Sequence, residues 1–158
     1  MQEFVLKIIN AYKRCILPLF LVFFTSSAIA FELQVKDYDG QSYDLKNYRG
    51  KWLILNYWAT WCPPCLKEIP MLSDYHEANE NVKVFGLHYE RPISKDKLDN
   101  FVDTYLISYP IIPMTRDIIQ QLGDAKALPM TVFISPDGKI HKKYVGLLTK
   151  KFLDKVIQ

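Results

Sequence analysis

A dense apolar run spans residues 50–59 (GKWLILNYWA). A run without alternating polar positions is typical of a central β-strand that is buried on both faces. Residues 82–89 (VKVFGLHY) and 130–135 (MTVFIS) predict two more strands. A Pro-Asp-Gly turn joins the second of these to a partner strand, KIHKKYVG. At the front of the chain, apolar positions alternate around Asp39-Gly40, which predicts a hairpin.

Apolar residues recur at helical spacing in four other stretches. The predicted helices are LKEIPMLSDYHEAN with a kink at Pro70, SKDKLDNFVDTYL with Ser94 as N-cap, TRDIIQQLG ending at Gly123, and TKKFLDKVIQ with Thr149 as N-cap. Between the second and third helices, YPIIP is expected to be irregular. The order β-β-β-α-β-α-α-β-β-α contains a β-α-β unit near its front. It predicts one α/β domain around a mixed sheet.

Residues 1–30 have the pattern of an export signal. Lys7, Lys13 and Arg14 precede an apolar core at residues 16–24, and Ala28-Ile29-Ala30 supplies small residues for cleavage. We expect a signal peptide over 1–30 and a mature domain over 31–158. An uncleaved membrane anchor is the alternative, although the apolar stretch of 14 residues is short for a spanning helix. Either way the domain is expected to be periplasmic or otherwise extracytoplasmic, where disulfides persist.

Charge narrows the choice of partner. The whole chain of 158 residues carries a formal charge of +3, but residues 31–158 hold 17 basic and 16 acidic side chains, a net charge of +1. A nucleic-acid-binding domain normally shows a basic excess or stripe. No nucleic-acid partner is therefore expected. The apolar content of 49% is enough for a packed core.

Two of the three cysteines lie in the segment WATWCPPC, within the predicted mature domain. Because Cys62 and Cys65 close only a tiny loop, a disulfide between them would stabilise the fold little. A structural zinc site would need four ligands. The available histidines are His76, His88 and His141, and they show no paired spacing, so we expect no metal and no cofactor.

The position of these cysteines favours redox chemistry. Cys62 lies where a buried strand passes into a helix, and a helix N-terminus stabilises a thiolate. Pro63 suits the first helical position. Cys65, one turn on, is expected to be the more enclosed of the two. Cys62 would then attack a disulfide and Cys65 would resolve the mixed disulfide.

Residues 56–70 (NYWATWCPPCLKEIP) resemble the thioredoxin superfamily, and specifically the exported TlpA/ResA-like thiol–disulfide oxidoreductases, which include cytochrome c maturation reductases. The resemblance runs from about Phe31 to the C-terminus, and ALPMTVFISPDGKI resembles the second signature of that family. It implies a thioredoxin fold, in which a mixed central sheet is flanked by helices. It also implies an N-terminal β-hairpin and a central helical insertion between residues 84 and 113.

The same resemblance implies further site residues. Pro129 would be a cis-proline facing the cysteines, and Glu68 an acidic residue that modulates them. Glu68 could instead only complement the helix dipole. Asn56 stands where cytoplasmic thioredoxins have a buried aspartate, which leaves Glu68 or water to handle protons. The expected substrate-binding residues are Trp61, Pro63, Pro64, Leu128 and Pro129.

The implied activity is reduction of protein disulfides through the Cys-Pro-Pro-Cys dithiol. Expected partners are exported proteins with disulfides, an apocytochrome c among the candidates, and an upstream membrane thiol donor. A disulfide-forming oxidase or isomerase of the same fold is one alternative, and a copper- or zinc-binding chaperone-like module is another. A peroxiredoxin-type peroxidase is disfavoured because Thr60 lies two residues before Cys62, whereas that site needs three.

Overall fold

A five-stranded mixed sheet forms the centre of the computed structural model, which describes residues 33–157. Its strands are β3 (Trp52–Trp58), β4 (Val82–His88), β5 (Ile111–Pro113), β6 (Met130–Ile134) and β7 (Ile140–Val145). The spatial order is β5-β4-β3-β6-β7, with β3, β4 and β5 parallel and both β6 and β7 antiparallel to their neighbours. The predicted signal peptide, which contains the third cysteine, Cys15, lies outside the described residues.

The predicted N-terminal hairpin is confirmed. It consists of β1 (Gln34–Lys36) and β2 (Ser42–Asp44), which pair in a separate two-stranded sheet. The turn between them includes Gly40 at a φ of 81°, a left-handed conformation that glycine adopts readily. A single 3-10 turn, Leu45–Tyr48, then leads toward β3.

Four helices flank the central sheet in the described part of the chain. They are α1 (Pro63–Ala78), α2 (Lys95–Tyr105), α3 (Arg116–Leu122) and α4 (Lys150–Val156). The predicted caps hold in part: the Thr149 side chain accepts a hydrogen bond from Phe152 N, whereas Ser94 occupies the N-cap position without such a bond. Helix α1 starts before Leu66 and continues through Pro70. Among residues 33–157, none of the helices has the length and apolar character needed to cross a membrane.

The expectation that YPIIP is irregular is wrong. Ile111 and Ile112 are buried in β5, where the backbone pairs in parallel with β4. Pro110 and Pro113 flank these residues, and proline is tolerated at a sheet edge because an edge strand leaves one row of backbone groups unpaired. The helical insertion predicted between residues 84 and 113 is present as α2, which lies between β4 and this added edge strand.

Strand β3 is buried on both faces, as its unbroken apolar run predicts. On one face, Ile54 and Trp58 pack in a cluster with α1 and α4. On the other face, Leu55 and Tyr57 pack in a second cluster with the N-terminal hairpin and α3. In the β3–β6 register, Tyr57 pairs with Met130. Pro129, the residue before β6, therefore lies at the same end of the sheet as the segment that follows β3.

Candidate active site at the start of helix α1

Cys62 is the N-cap residue of α1, with an extended backbone (φ −100°, ψ 96°). Its Sγ accepts a hydrogen bond from Cys65 N at 3.3 Å and forms a disulfide with the Cys65 sulfur. Pro63 and Pro64 occupy the first two helical positions, where the backbone N–H that proline lacks would have no helical partner. The predicted strand-to-helix junction therefore places both sulfurs at the positive end of a helix.

Both cysteines are buried in this disulfide form. Cys62 retains 3% of its surface and Cys65 retains none, so the order of exposure matches the prediction but the margin is small. The surface above the disulfide comes from its neighbours: Trp61 is 64% exposed and Pro63 is exposed. Trp58, in contrast, is fully buried and belongs to the core.

Glu68 lies on the cysteine helix α1 and is buried rather than solvated, with only 1% of its surface exposed. Its Oε1 accepts a hydrogen bond from Asn56 Nδ2 at 2.7 Å, and its Oε2 accepts one from Leu148 N at 2.7 Å. Burial raises the pKa of Glu68 to about 7, although both hydrogen bonds favour the ionised form. Burial and these two hydrogen bonds distinguish Glu68 from a solvent-exposed carboxylate near the start of a helix.

Asn56 connects Glu68 to the central sheet. From the middle of β3 its Nδ2 also donates to Thr131 Oγ1 of β6 at 3.1 Å. A buried phenol, Tyr109, packs in the same cluster as Cys65, and its pKa is raised by burial and by the charge of Glu68. Asn56 Oδ1 and the Tyr109 hydroxyl have no hydrogen-bond partner among the described residues. The carboxyl thus lies in a largely apolar pocket with few polar neighbours, which explains its high pKa.

The Leu128–Pro129 peptide bond is cis, as the family resemblance implies. Pro129 is buried just before β6, and its carbonyl oxygen accepts a hydrogen bond from Gly146 N at 2.9 Å. Leu128 is half-buried and packs against both core clusters. Pro129 therefore lies at the end of the sheet where β3 leads into the segment that contains Cys62.

The loop between β7 and α4 completes the site, and nothing in the sequence pattern pointed to it. Gly146 N contacts the Pro129 carbonyl, and Leu148 N contacts Glu68. Both contacts use backbone N–H groups, which every non-proline residue has, so no residue type marks them. Glu68 itself was detectable, because it lies three residues after Cys65 and four before Leu72, on the face that α1 buries.

The histidines hold other positions. His76 Nδ1 accepts a hydrogen bond from Val84 N at 3.1 Å, His88 is buried between two side chains, and the His141 ring contacts Trp52. Within residues 33–157, no group of three or more His, Cys, Asp or Glu side chains is arranged to hold a metal ion. The chemistry this site can perform with the described side chains is thiol–disulfide exchange at Cys62 and Cys65, beside the buried carboxyl of Glu68.

Comparison with known proteins agrees with this geometry. A family model described as the AhpC/TSA family matches residues 25–143. A protein named thiol-disulfide oxidoreductase ResA from Bacillus subtilis (strain 168) is 30% identical over 121 residues, which cover 75% of this chain and 66% of that protein. The protein of the same name from Halalkalibacterium halodurans is 31% identical over 132 residues, covering 82% of this chain and 73% of that protein. The matched segment thus leaves about a quarter to a third of each relative uncovered.

Solved structures give the same result at the level of the fold. A thiol:disulfide interchange protein, described as a thioredoxin family protein, from Chlorobium tepidum TLS superposes with a TM-score of 0.71 at 26% identity, covering 81% of this chain and 92% of that one. StoA from Bacillus subtilis superposes with a TM-score of 0.65 at 22% identity, covering 82% and 98% of the two chains.

Proposed function

Because this chain belongs to the AhpC/TSA family within the thioredoxin superfamily and has the thioredoxin fold, we propose that it is an exported thiol–disulfide oxidoreductase that reduces disulfides in other proteins. The observation that carries the proposal is the Cys62–Cys65 disulfide at the N-terminus of α1, with the buried Glu68 carboxyl on the same helix. The relatives named ResA bear the name thiol-disulfide oxidoreductase, in agreement with this chemistry.

The reaction starts from the dithiol form. The Cys62 thiolate attacks one sulfur of the partner disulfide, forming a mixed disulfide and releasing the other partner sulfur as a thiolate that takes up a proton. The Cys65 sulfur, after losing its proton, attacks Cys62 Sγ. The Cys62–Cys65 disulfide forms as the bond between Cys62 and the partner breaks, and the second partner sulfur leaves as a thiolate that takes up a proton. Two electrons have then passed from the enzyme to the partner. An upstream membrane thiol donor then returns the pair to the dithiol state.

Glu68 is the proposed proton acceptor for Cys65. Its carboxyl lies one helical turn beyond that cysteine, and burial raises its pKa to about 7, close to the pH at which the transfer must occur. Asn56 cannot take the proton because an amide is not a base in this range. It holds the carboxyl in place through its hydrogen bond of 2.7 Å.

The partner is proposed to bind across the exposed ring of Trp61 and the two prolines of the motif. Trp61 is 64% exposed next to a buried disulfide, so an incoming chain meets this ring before it meets the sulfurs. On the opposite side, Leu128 and Pro129 are the proposed contacts for the backbone of the partner.

Exported proteins with disulfides are the proposed partners, and an apocytochrome c is one candidate. The proposed route to the extracytoplasmic side is the signal peptide over residues 1–30, or the same segment retained as an anchor. Support comes from the charged, apolar and small-residue pattern of that segment.

The reduction potential of the Cys62–Cys65 pair tests the proposed direction. We expect a value at or below about −270 mV, in the range of thioredoxin, when the pair is equilibrated with glutathione or dithiothreitol buffers. A value near about −120 mV, typical of strong periplasmic oxidases, would overturn the reductase assignment in favour of disulfide formation. Wild-type protein must also accelerate insulin reduction by dithiothreitol, and absence of that activity would refute the proposed enzyme class.

A further inference from the structure

His88, the last residue of β4, is fully buried and hydrogen-bonded at both ring nitrogens. Its Nδ1 lies 2.6 Å from the Tyr38 hydroxyl, and its Nε2 lies 2.6 Å from Glu90 Oε1. Tyr38 belongs to the turn of the N-terminal hairpin, whereas Glu90 follows β4. One imidazole therefore connects Tyr38, 50 residues before it in the chain, to Glu90, two residues after it.

The hydrogen bonds define where the protons lie. A carboxylate can only accept, so the Nε2 proton of His88 is donated to Glu90. In a neutral ring Nδ1 is then an acceptor, and the Tyr38 hydroxyl donates to it. Burial lowers the pKa of His88, which favours this neutral ring. Burial alone would raise the pKa of Glu90, but hydrogen bonds from Thr60 and His88 outweigh it and lower that pKa.

Glu90 carries this chain of hydrogen bonds to the segment before Cys62. Its Oε1 accepts a second hydrogen bond, from Thr60 N at 2.9 Å. The next backbone bond, from Cys62 N to Ala59 O at 3.1 Å, closes a turn around Thr60 and Trp61. The carboxylate thus holds the backbone N–H of Thr60, two residues before Cys62.

Aromatic packing fixes the imidazole in this position. The ring of Trp58 lies 4.9 Å from the His88 ring between centroids, and the ring of Tyr38 lies 5.7 Å away. Trp58 in turn stacks on Phe101 of α2, at 5.1 Å. His88 is therefore held by rings on two sides as well as by hydrogen bonds at both nitrogens.

We propose that His88 is a positioning residue for Cys62, which it holds at the N-terminus of α1 through Glu90 and the backbone of Thr60, with Tyr38 fixing the far side of its ring. This inference rests on the proposed function, since it concerns the nucleophile of that reaction. Loss of the imidazole leaves Glu90 without its buried donor. The Glu90 carboxylate then holds the turn at Thr60 and Trp61 less firmly. The Cys62 sulfur then lies less firmly against the helix N-terminus, and its thiolate loses stabilisation.

The experiment measures the alkylation rate of Cys62 by iodoacetamide in the reduced full chain, as a function of pH, with the Cys62 peptide quantified by mass spectrometry. We expect His88→Phe to lower the rate at pH 7 by about tenfold and to move the midpoint of the pH profile upward, since a lost charge-assisted hydrogen bond has effects of about this size. His88→Gln, whose amide N–H can still donate to Glu90, should restore most of the rate.

His76→Phe is the matched control, because it makes the same replacement at a partly buried histidine that hydrogen-bonds Val84 instead. It should leave the Cys62 rate and midpoint unchanged. If His88→Phe does not fold, Tyr38→Phe decides the question: it removes one hydroxyl, and we expect a fall of about threefold. Wild-type rates and midpoints in the folded His88→Phe or Tyr38→Phe protein would overturn the proposal. Alkylation needs no turnover, so a failure of insulin reduction in the wild type would count against the proposed function and not against this inference.

Discussion

Replacing Glu68 by glutamine should change how the stability of the oxidised protein depends on pH. In the folded protein, burial raises the pKa of this carboxyl from 4.5 to about 7. The folded state therefore binds the proton more tightly than the unfolded chain does. The resulting stabilisation is fully present below pH 4.5 and is lost as the pH rises through about 7.

The size of the effect follows from the two pKa values. Between pH 5 and pH 8, the stabilisation from protonated Glu68 falls by about 2.5 kcal/mol. A glutamine cannot ionise, so this loss should be absent in Glu68→Gln. The amide oxygen can accept from Asn56 or from Leu148 N but not easily from both, and the unpaired donor costs about 1–3 kcal/mol at every pH. The variant should be less stable at pH 5, and the gap should narrow or reverse by pH 8.

Urea unfolding at pH 5 and pH 8 measures this gap, with the Cys62–Cys65 disulfide intact so that no thiol titrates. Asp74→Asn is the control, because Asp74 is exposed on the same helix. Its stability difference from wild type should be the same at both pH values. Parallel pH dependence in wild type and Glu68→Gln would mean that Glu68 is already ionised at pH 5, and the reasoning from burial would be refuted.

Three further predictions concern the nucleophile, the core and the helix caps. Cys62→Ser should abolish insulin reduction and Cys65→Ser should accumulate mixed disulfides visible on non-reducing gels; preferential alkylation of Cys65 in the reduced protein would reverse the assigned order. Gly86→Ala should lower the free energy of unfolding by about 1–3 kcal/mol in urea titrations, because the added Cβ would lie 2.8 Å from a buried indole nitrogen; an unchanged midpoint would contradict that clash. Thr149→Ala should cost about 1 kcal/mol, and Ser94→Ala less, since only the first side chain makes a capping hydrogen bond; equal losses would argue against the cap.

The sequence predicted the elements that depend on local pattern. The apolar run of β3, the turn at Gly40 and the cap at Thr149 each follow from side chains close together in the chain. Strand β5 was missed because it has three residues, too few for a periodic pattern, and its burial comes from pairing with β4. Short edge strands of this kind are defined by their neighbour rather than by their own residues.

The candidate site also contains features that the sequence predicted and features that it did not. The cysteine pair and the helix N-terminus were evident from spacing, and cis-Pro129 followed from the family resemblance. The burial of Glu68 and the His88–Glu90 contact depend on which segments fold against each other. A histidine at the end of a strand predicts a satisfied core position, but not that its partner holds the turn before Cys62.

The loop between β7 and α4 determines when the site can be completed as the chain is synthesised. Leu148 N reaches Glu68 across 80 positions of the chain, and Gly146 N reaches the Pro129 carbonyl. A polypeptide made from its N-terminus presents both thiols long before these two backbone groups exist. During that interval the Glu68 carboxyl lacks one of its two donors. The candidate site is therefore complete only after the last strand and helix have docked, because the loop between them supplies both of these backbone donors.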